Sequence, residues 1–169
     1  APFEIGFSPV RSALCLPGLR ILAFPTGTPC VPDGEVAEEP LRWLEGQLAL
    51  PFAGDTLLLT HHHLLPGQFV LPPAHHAAAL EALVQKNAVA AVLTGHTHHY
   101  FEGTFGGKPY FTADSLAFSV ENESDGALRF EERPGATLFT LEEGRLRPRR
   151  LGDDVVRPLG CMQTQISTT

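Results

Sequence analysis

The hydrophobic pattern changes period several times along the chain. Residues 19–26 (LRILAFPT) alternate apolar with polar or small side chains after the turn-forming pair Pro17-Gly18, and this predicts a strand. From Pro40 the period lengthens. Leu41, Leu44 and Leu48 share one helical face with Trp43 beside it; Pro40 suits a first helical position and Pro51 a stop, so an amphipathic helix of about three turns is expected. Residues 55–60 (DTLLLT) are almost continuously apolar, as in a strand buried on both faces, and three histidines follow at once. Pro72-Pro73 opens a second helix, predicted from His75 to about Lys86, with Leu80, Leu83 and Val84 as its packing stripe. Residues 89–93 (VAAVL) predict another buried strand, again ending in histidines.

Beyond residue 99 the chain turns to short strand-like runs at 100–105, 110–120, 128–132, 136–141 and 145–151. Gly106-Gly107, Asp125-Gly126, Pro134-Gly135 and Glu143-Gly144 are the turn signals between them. This order, β-α-β-α-β and then antiparallel hairpins, predicts an α/β layered domain over residues 1–152 followed by a loose tail at 153–169. Functional residues in such sheets gather at the carboxyl ends of the strands.

Composition narrows the classes. Of 169 residues, 16 are Gly and 15 Pro, too many turn-formers for a coiled coil. A net charge of −7 argues against a broad nucleic-acid-binding surface, although the run RLRPRR at 145–150 leaves a local basic patch for an anionic substrate open; a solvated edge strand is the preferred reading of it. No apolar run approaches the roughly 20 residues of a membrane-spanning helix. Cys15, Cys30 and Cys161 form no C-x-x-C pair and cannot all pair internally, so a soluble protein of a reducing, cytoplasmic compartment is expected. Ala1 fits loss of an initiator Met as well as a chain that begins within a longer protein.

The candidate chemistry lies in the histidines. Neutral imidazole is the commonest metal ligand near pH 7, and a β-α-β crossover brings the strand end before His61, His62 and His63 beside the one before His96, His98 and His99. If the backbone is extended after Gly95, His96 and His98 point the same way. His75 and His76, on a predicted helical start, have no such partner cluster and read as surface residues.

These blocks resemble a known family. LLLTHHHLLP at 57–66 and LTGHTH at 93–98 are similar to the fourth and fifth motifs of the calcineurin-like metallophosphoesterases, in their bacterial phosphodiesterase-like branch, and LRILAFPT followed by LRWLEGQL is similar to the strand and helix upstream of them. The resemblance covers about residues 15–120. It implies the C-terminal half of a four-layer α/β/β/α sandwich and hydrolysis of a phosphodiester or phosphomonoester by a metal-bound hydroxide. It further implies two divalent cations (Mn, Fe or Zn). His61, His96 and His98 align with metal ligands, His62 being the alternate for His61; His62, His63 and His99 are then candidates for phosphate contacts. Metallo-β-lactamase-like hydrolases fit less well, because their motif needs Asp and His where Tyr100 and Phe101 stand.

The family's D-x-H, G-D-x-x-D and G-N-H-[DE] motifs are absent from the sequence, and with them the bridging carboxylate and a general-acid histidine. Three neutral imidazoles supply no negative charge to hold two cations together. The resemblance therefore implies a partner, a complementary N-terminal half on a separate or cleaved segment. Two other classes remain: a non-catalytic binding or regulatory module that keeps the fold, and a mononuclear zinc protein using His61, His96 and His98.

Overall fold

A computed structural model describes residues 11–28, 33–123, 126–152 and 155–163. Cys30, Asp125 of the expected 125–126 turn, and Asp153 and Asp154 lie outside these residues. A six-stranded mixed sheet organises the site. It is built from β1 (Ser12–Leu16), β2 (Leu19–Ala23), β3 (Asp55–Leu59), β4 (Ala91–Thr94), β5 (Phe101–Phe105) and β6 (Lys108–Thr112), in the order β1-β2-β3-β4-β6-β5. β2, β3, β4 and β6 run parallel; β1 and β5 close the edges antiparallel to β2 and β6.

Alternation along the central strands sends side chains to two different layers. Leu22, Leu58, Val92 and Tyr110 sit in register across the sheet and face the helices α1 (Glu38–Ala49) and α2 (Ala77–Lys86), where they pack with Leu44, Leu80 and Val84. Leu57, Ala91 and Phe111 point the other way, against Phe139 of β9 (Gly135–Glu142) and Leu146 of β10 (Arg145–Gly152); the Phe111 and Phe139 ring centroids are 5.4 Å apart. The near-continuous hydrophobicity of β3 and β4 thus reflects burial on both faces. A third sheet joins β7 (Ser119–Asn122), β8 (Ala127–Glu132) and β11 (Arg157–Gln163) in the order β11-β8-β7. The fold is mixed α/β, with helices on one face of the main sheet and a β-hairpin on the other.

Several expectations are corrected. α1 begins at Glu38, so Pro40 falls at its third residue, where the missing N–H still costs no intrahelical bond. His75 precedes α2: its backbone pairs with the 34–36 loop, and His76 holds a left-handed conformation (φ 61°) before the helix starts at Ala77. The apolar run expected at 110–120 is two strands, β6 and β7, separated by non-strand residues 113–118. Part of the expected loose tail is strand β11. It is exposed along its length, so no buried face imposed an alternation on its sequence, and the same is true of β1.

Buried polar groups tie the layers together. Arg20 is buried and donates from Nε to Thr56 Oγ1 (3.1 Å) and from Nη1 to the carbonyls of Gln47 (2.8 Å) and Leu50 (3.2 Å), satisfying acceptors at the end of α1. Tyr110, fully buried, donates to Gln68 Oε1 (2.9 Å) and accepts from the Leu64 N–H and the Thr94 hydroxyl (3.0 Å each). All three hydrogen-bonding capacities of that phenol are used. Tyr110→Phe leaves the Leu64 N–H and Gln68 Oε1 without this partner and is expected to lower stability by about 1–3 kcal/mol, read as a lower urea midpoint at unchanged m.

Candidate metal centre

Strand register explains why the two histidine blocks meet. Leu59 pairs with Leu93, the Thr60 N–H donates to the Leu93 carbonyl (3.0 Å), and the Gly95 N–H donates to the His61 carbonyl (2.9 Å). His61 and His96 are therefore the first histidines beyond the ends of two parallel neighbours. His61 Nε2 lies 3.4 Å from His96 Nδ1. His62 completes the group: one ring nitrogen from each of His61, His62 and His96 lies within 4.8 Å of the others. His61 is exposed, His62 buried and His96 intermediate, an opening that a ligand can reach from one side.

The other candidates are placed differently. His98 is not in this group, and its ring packs on Phe118 (centroids 4.5 Å). The reason is backbone conformation: His96 and His98 both have positive φ (71° and 56°), so the G-H-T-H segment is a tight turn and the two-residue periodicity of extended chain does not hold there. His63 is buried, its Nε2 3.2 Å from the Leu71 carbonyl, and His99 packs on Phe69 (centroids 5.4 Å). Neither is brought into the three-nitrogen group. His75 and His76 are exposed.

Burial favours the neutral form of His61 and His96, the form whose ring nitrogens can bind a cation. Burial, reinforced by the neighbouring His62, His61, His63 and His98, pushes the pKa of His96 down to about 4. Burial also lowers His61, with His98 adding to the effect, and lowers His63 and His99. A 3.4 Å separation of two donors is the edge of a tetrahedron whose metal–nitrogen bonds are about 2.1 Å, so the His61–His96 pair fits a zinc-like ion. The Nδ1 atoms of His63, His98 and His99 and the hydroxyl of Thr97 are buried without a hydrogen-bond partner.

These shifts set an acid limit for the metal-free chain. Unfolded histidines take up protons near pH 6.5, whereas folded His96 does so only near 4, so between these values the unfolded state binds more protons and stability falls as pH falls. The expected result is a urea midpoint that drops steadily from about pH 7 to about pH 5. A midpoint flat over that range would show that the imidazoles are not desolvated.

Sequence reasoning missed two residues that shape the cluster. Thr26, beyond the end of β2, is buried with its hydroxyl 2.9 Å from His62 Nδ1. Gly34 lies against the same ring: a Cβ there would be 2.6 Å from His62 Cβ and 2.8 Å from Nδ1. The signal for Thr26 was available in topology, because Ala23, Leu59 and Leu93 align across three parallel strands and the residues just past each end form the site. A groove of about 210 Å³ runs from His96 and His98 along Phe69, Phe118 and Phe130.

The likeness to the calcineurin-like metallophosphoesterases extends beyond the histidine blocks. The chain is 31% identical to a probable cyclic nucleotide phosphodiesterase of Rhodococcus erythropolis, covering 67% of this chain and 38% of that protein. It is 30% identical to a cAMP/cGMP dual specificity phosphodiesterase of Mycobacterium tuberculosis (68% and 37%), and 30% identical to the 3',5'-cyclic adenosine monophosphate phosphodiesterase CpdA of Escherichia coli (86% and 59%). The chain is a homologue of these phosphoric diester hydrolases, and it spans between about a third and three fifths of their length. No protein-family model matches it. Among solved structures, GAP50, the anchor in the inner membrane complex of Plasmodium, gives a TM-score of 0.46 at 11% identity, covering 85% of this chain and 53% of that one, too low a score to assign a shared fold.

Proposed function

We propose that the chain is the histidine-bearing, C-terminal part of a metal-dependent phosphodiesterase, with the four-layer sandwich completed by a complementary N-terminal half. The observation that carries this reading is the convergence of His61, His62 and His96 nitrogens within 4.8 Å at adjacent strand ends. The homology to cyclic nucleotide phosphodiesterases supports the reaction type. His61, His62 and His96 would hold one divalent cation, with His98 the remaining imidazole close enough to act on two of them electrostatically. Such ions supply Lewis-acid stabilisation of the phosphoryl oxygens and activation of water. His63 and His99 are both buried. The neighbouring groove, with Phe69, Phe118 and Phe130, offers an apolar wall to the organic part of an ester.

The complementary half would contribute the carboxylates needed for a second cation, because no Asp or Glu joins the three-histidine group among the described residues. Exposed apolar side chains on and near β11, Val155, Val156, Leu159 and Met162, give such a half a surface to cover. No helix of the described residues is long and apolar enough to cross a membrane. Hydrolysis of a chromogenic phosphodiester with Mn²⁺ or Zn²⁺ tests the proposal: the 169 residues alone are expected to be inactive, and the assembled native protein active. Turnover by the chain alone would refute the division of labour.

One observation favours a second reading. The 3.4 Å between His61 Nε2 and His96 Nδ1 suits two ligands of a single zinc ion, and a third imidazole, that of His62, has a ring nitrogen within 4.8 Å of both. Counting metals in the assembled protein separates the two, since a two-metal site requires twice the content.

A further inference from the structure

Residues 68–71 are neither helix nor strand, so their backbone groups need partners outside a ladder. Three side chains anchor the stretch. Asn122, the exposed last residue of β7, accepts from the Val70 N–H at Oδ1 (3.1 Å) and donates from Nδ2 to the Gln68 carbonyl (3.3 Å). A backbone N–H can only donate and a carbonyl only accept, which fixes which way round the carboxamide lies. The Gln68 side chain reaches inward to Thr112 Oγ1 (2.6 Å) and to the Tyr110 hydroxyl (2.9 Å), and His63 Nε2 lies 3.2 Å from the Leu71 carbonyl. Among these anchors Phe69 is buried against Val120 and Leu128. The same strand holds the histidine turn, because the Val120 N–H donates to the His98 carbonyl (3.2 Å). From Val120, β7 thus fixes the turn that carries His96 and His98; from Asn122, two residues on, it fixes the segment that carries Phe69 and Leu71. Both segments line the groove of about 210 Å³, and Asn122 itself does not.

The geometry points to Asn122 as a positioning residue that sets the place of Phe69 and Leu71 relative to His96, and so makes the groove a subsite for an apolar organic group of the ester held at the cation. This rests on the metal-dependent phosphodiesterase reading of the three-histidine group. His96 belongs both to that group and to the lining of the groove, so an ester whose phosphoryl oxygens meet the cation has its organic part beside these apolar side chains. Apart from His96, Thr97 and His98 the lining is Phe, Leu and Val, and selectivity there comes from buried apolar area instead of hydrogen bonds.

The test uses the assembled native protein loaded with Zn²⁺ and two probes, phenylphosphonate and methylphosphonate, which share an anionic head and differ in the organic group. Binding is measured by calorimetry in wild type, in Asn122→Ala, and in Asn122→Asp, which keeps an acceptor for Val70 but sets an oxygen against the Gln68 carbonyl. Wild type is expected to bind phenylphosphonate at least ~10-fold more tightly than methylphosphonate, through burial of the ring. In both variants that preference is expected to fall to about 3-fold or less, with methylphosphonate affinity and zinc content unchanged. Hydrogen exchange of the Val70 amide in the 169-residue chain is the second readout, expected to be at least ~10-fold faster in Asn122→Ala. An unchanged phenyl preference or an unchanged Val70 exchange rate in Asn122→Ala, or an equal loss for both probes, would overturn the inference. If wild type binds methylphosphonate with no preference for phenyl, the cation site stands and the subsite falls; if it binds neither probe, the phosphodiesterase reading itself fails and takes the subsite with it.

Discussion

Replacing His96 by alanine is expected to lower Zn²⁺ affinity by at least ~100-fold, as for any ligand contributing one of three nitrogens, with no comparable change for His75→Ala. His96 lies against both of the other imidazoles: its Nδ1 is 3.4 Å from His61 Nε2, and its ring centroid is 4.4 Å from that of His62. Removing it leaves two donors, too few to hold a zinc-like ion tightly. His75 has an exposed side chain and contributes to the 34–36 loop through its backbone, which alanine retains. Titration of Zn²⁺ into wild type and both variants, with urea midpoints as a check on folding, reads the difference. Equal losses at positions 75 and 96 would place the site elsewhere.

Gly34→Ala is expected to be nearly as damaging, for a steric reason. The added methyl would lie 2.6 Å from His62 Cβ and 2.8 Å from Nδ1, inside any tolerable contact, so either the ring or the 33–36 loop must move. The loop is held on both sides: the Glu35 N–H donates to the Thr26 carbonyl (2.8 Å), the Val36 N–H to the His75 carbonyl (2.9 Å), and the His75 N–H to the Gly34 carbonyl (2.8 Å). Displacement of His62 is the cheaper relaxation. A stability loss of about 1–3 kcal/mol and a 10-fold or greater loss of Zn²⁺ affinity are expected. Gly27→Ala is the control, because a Cβ at Gly27 meets nothing within 4 Å. If both variants behave alike, Gly34 is not packed on His62.

What could be read from sequence follows from where burial imposes a pattern. β3 and β4 are buried on both faces and their apolar runs were legible, so the meeting of His61 with His96 followed from two strand ends and a parallel crossover. The place of His98 was not legible, because periodicity assumes a regular backbone and the turn after Gly95 uses positive φ at two histidines. Choosing between His61 and His62 was equally out of reach: consecutive residues oppose each other in a strand, but beyond its end both rings can turn to one point, and both do. β1 and β11 escaped detection because strands exposed throughout carry no hydrophobic alternation. Arg145–Gly152, the arginine-rich run, is one strand of the two-stranded hairpin whose Phe139 and Leu146 pack on the main sheet, and its arginines are on the solvent side, with Arg147 paired to Glu142 and Arg150 to Asp114 (2.7 Å). The edge-strand reading of that run holds.

The homology and the histidine geometry together make a specific claim about metal capacity. This chain brings three imidazoles to one point and, among the described residues, no carboxylate into that group to bridge a second ion. Equilibrium dialysis of the 169 residues against Zn²⁺ measures that capacity directly. The account predicts about one tightly held ion per chain, lost in His96→Ala. No bound ion, two ions per chain, or one ion retained in His96→Ala would contradict it.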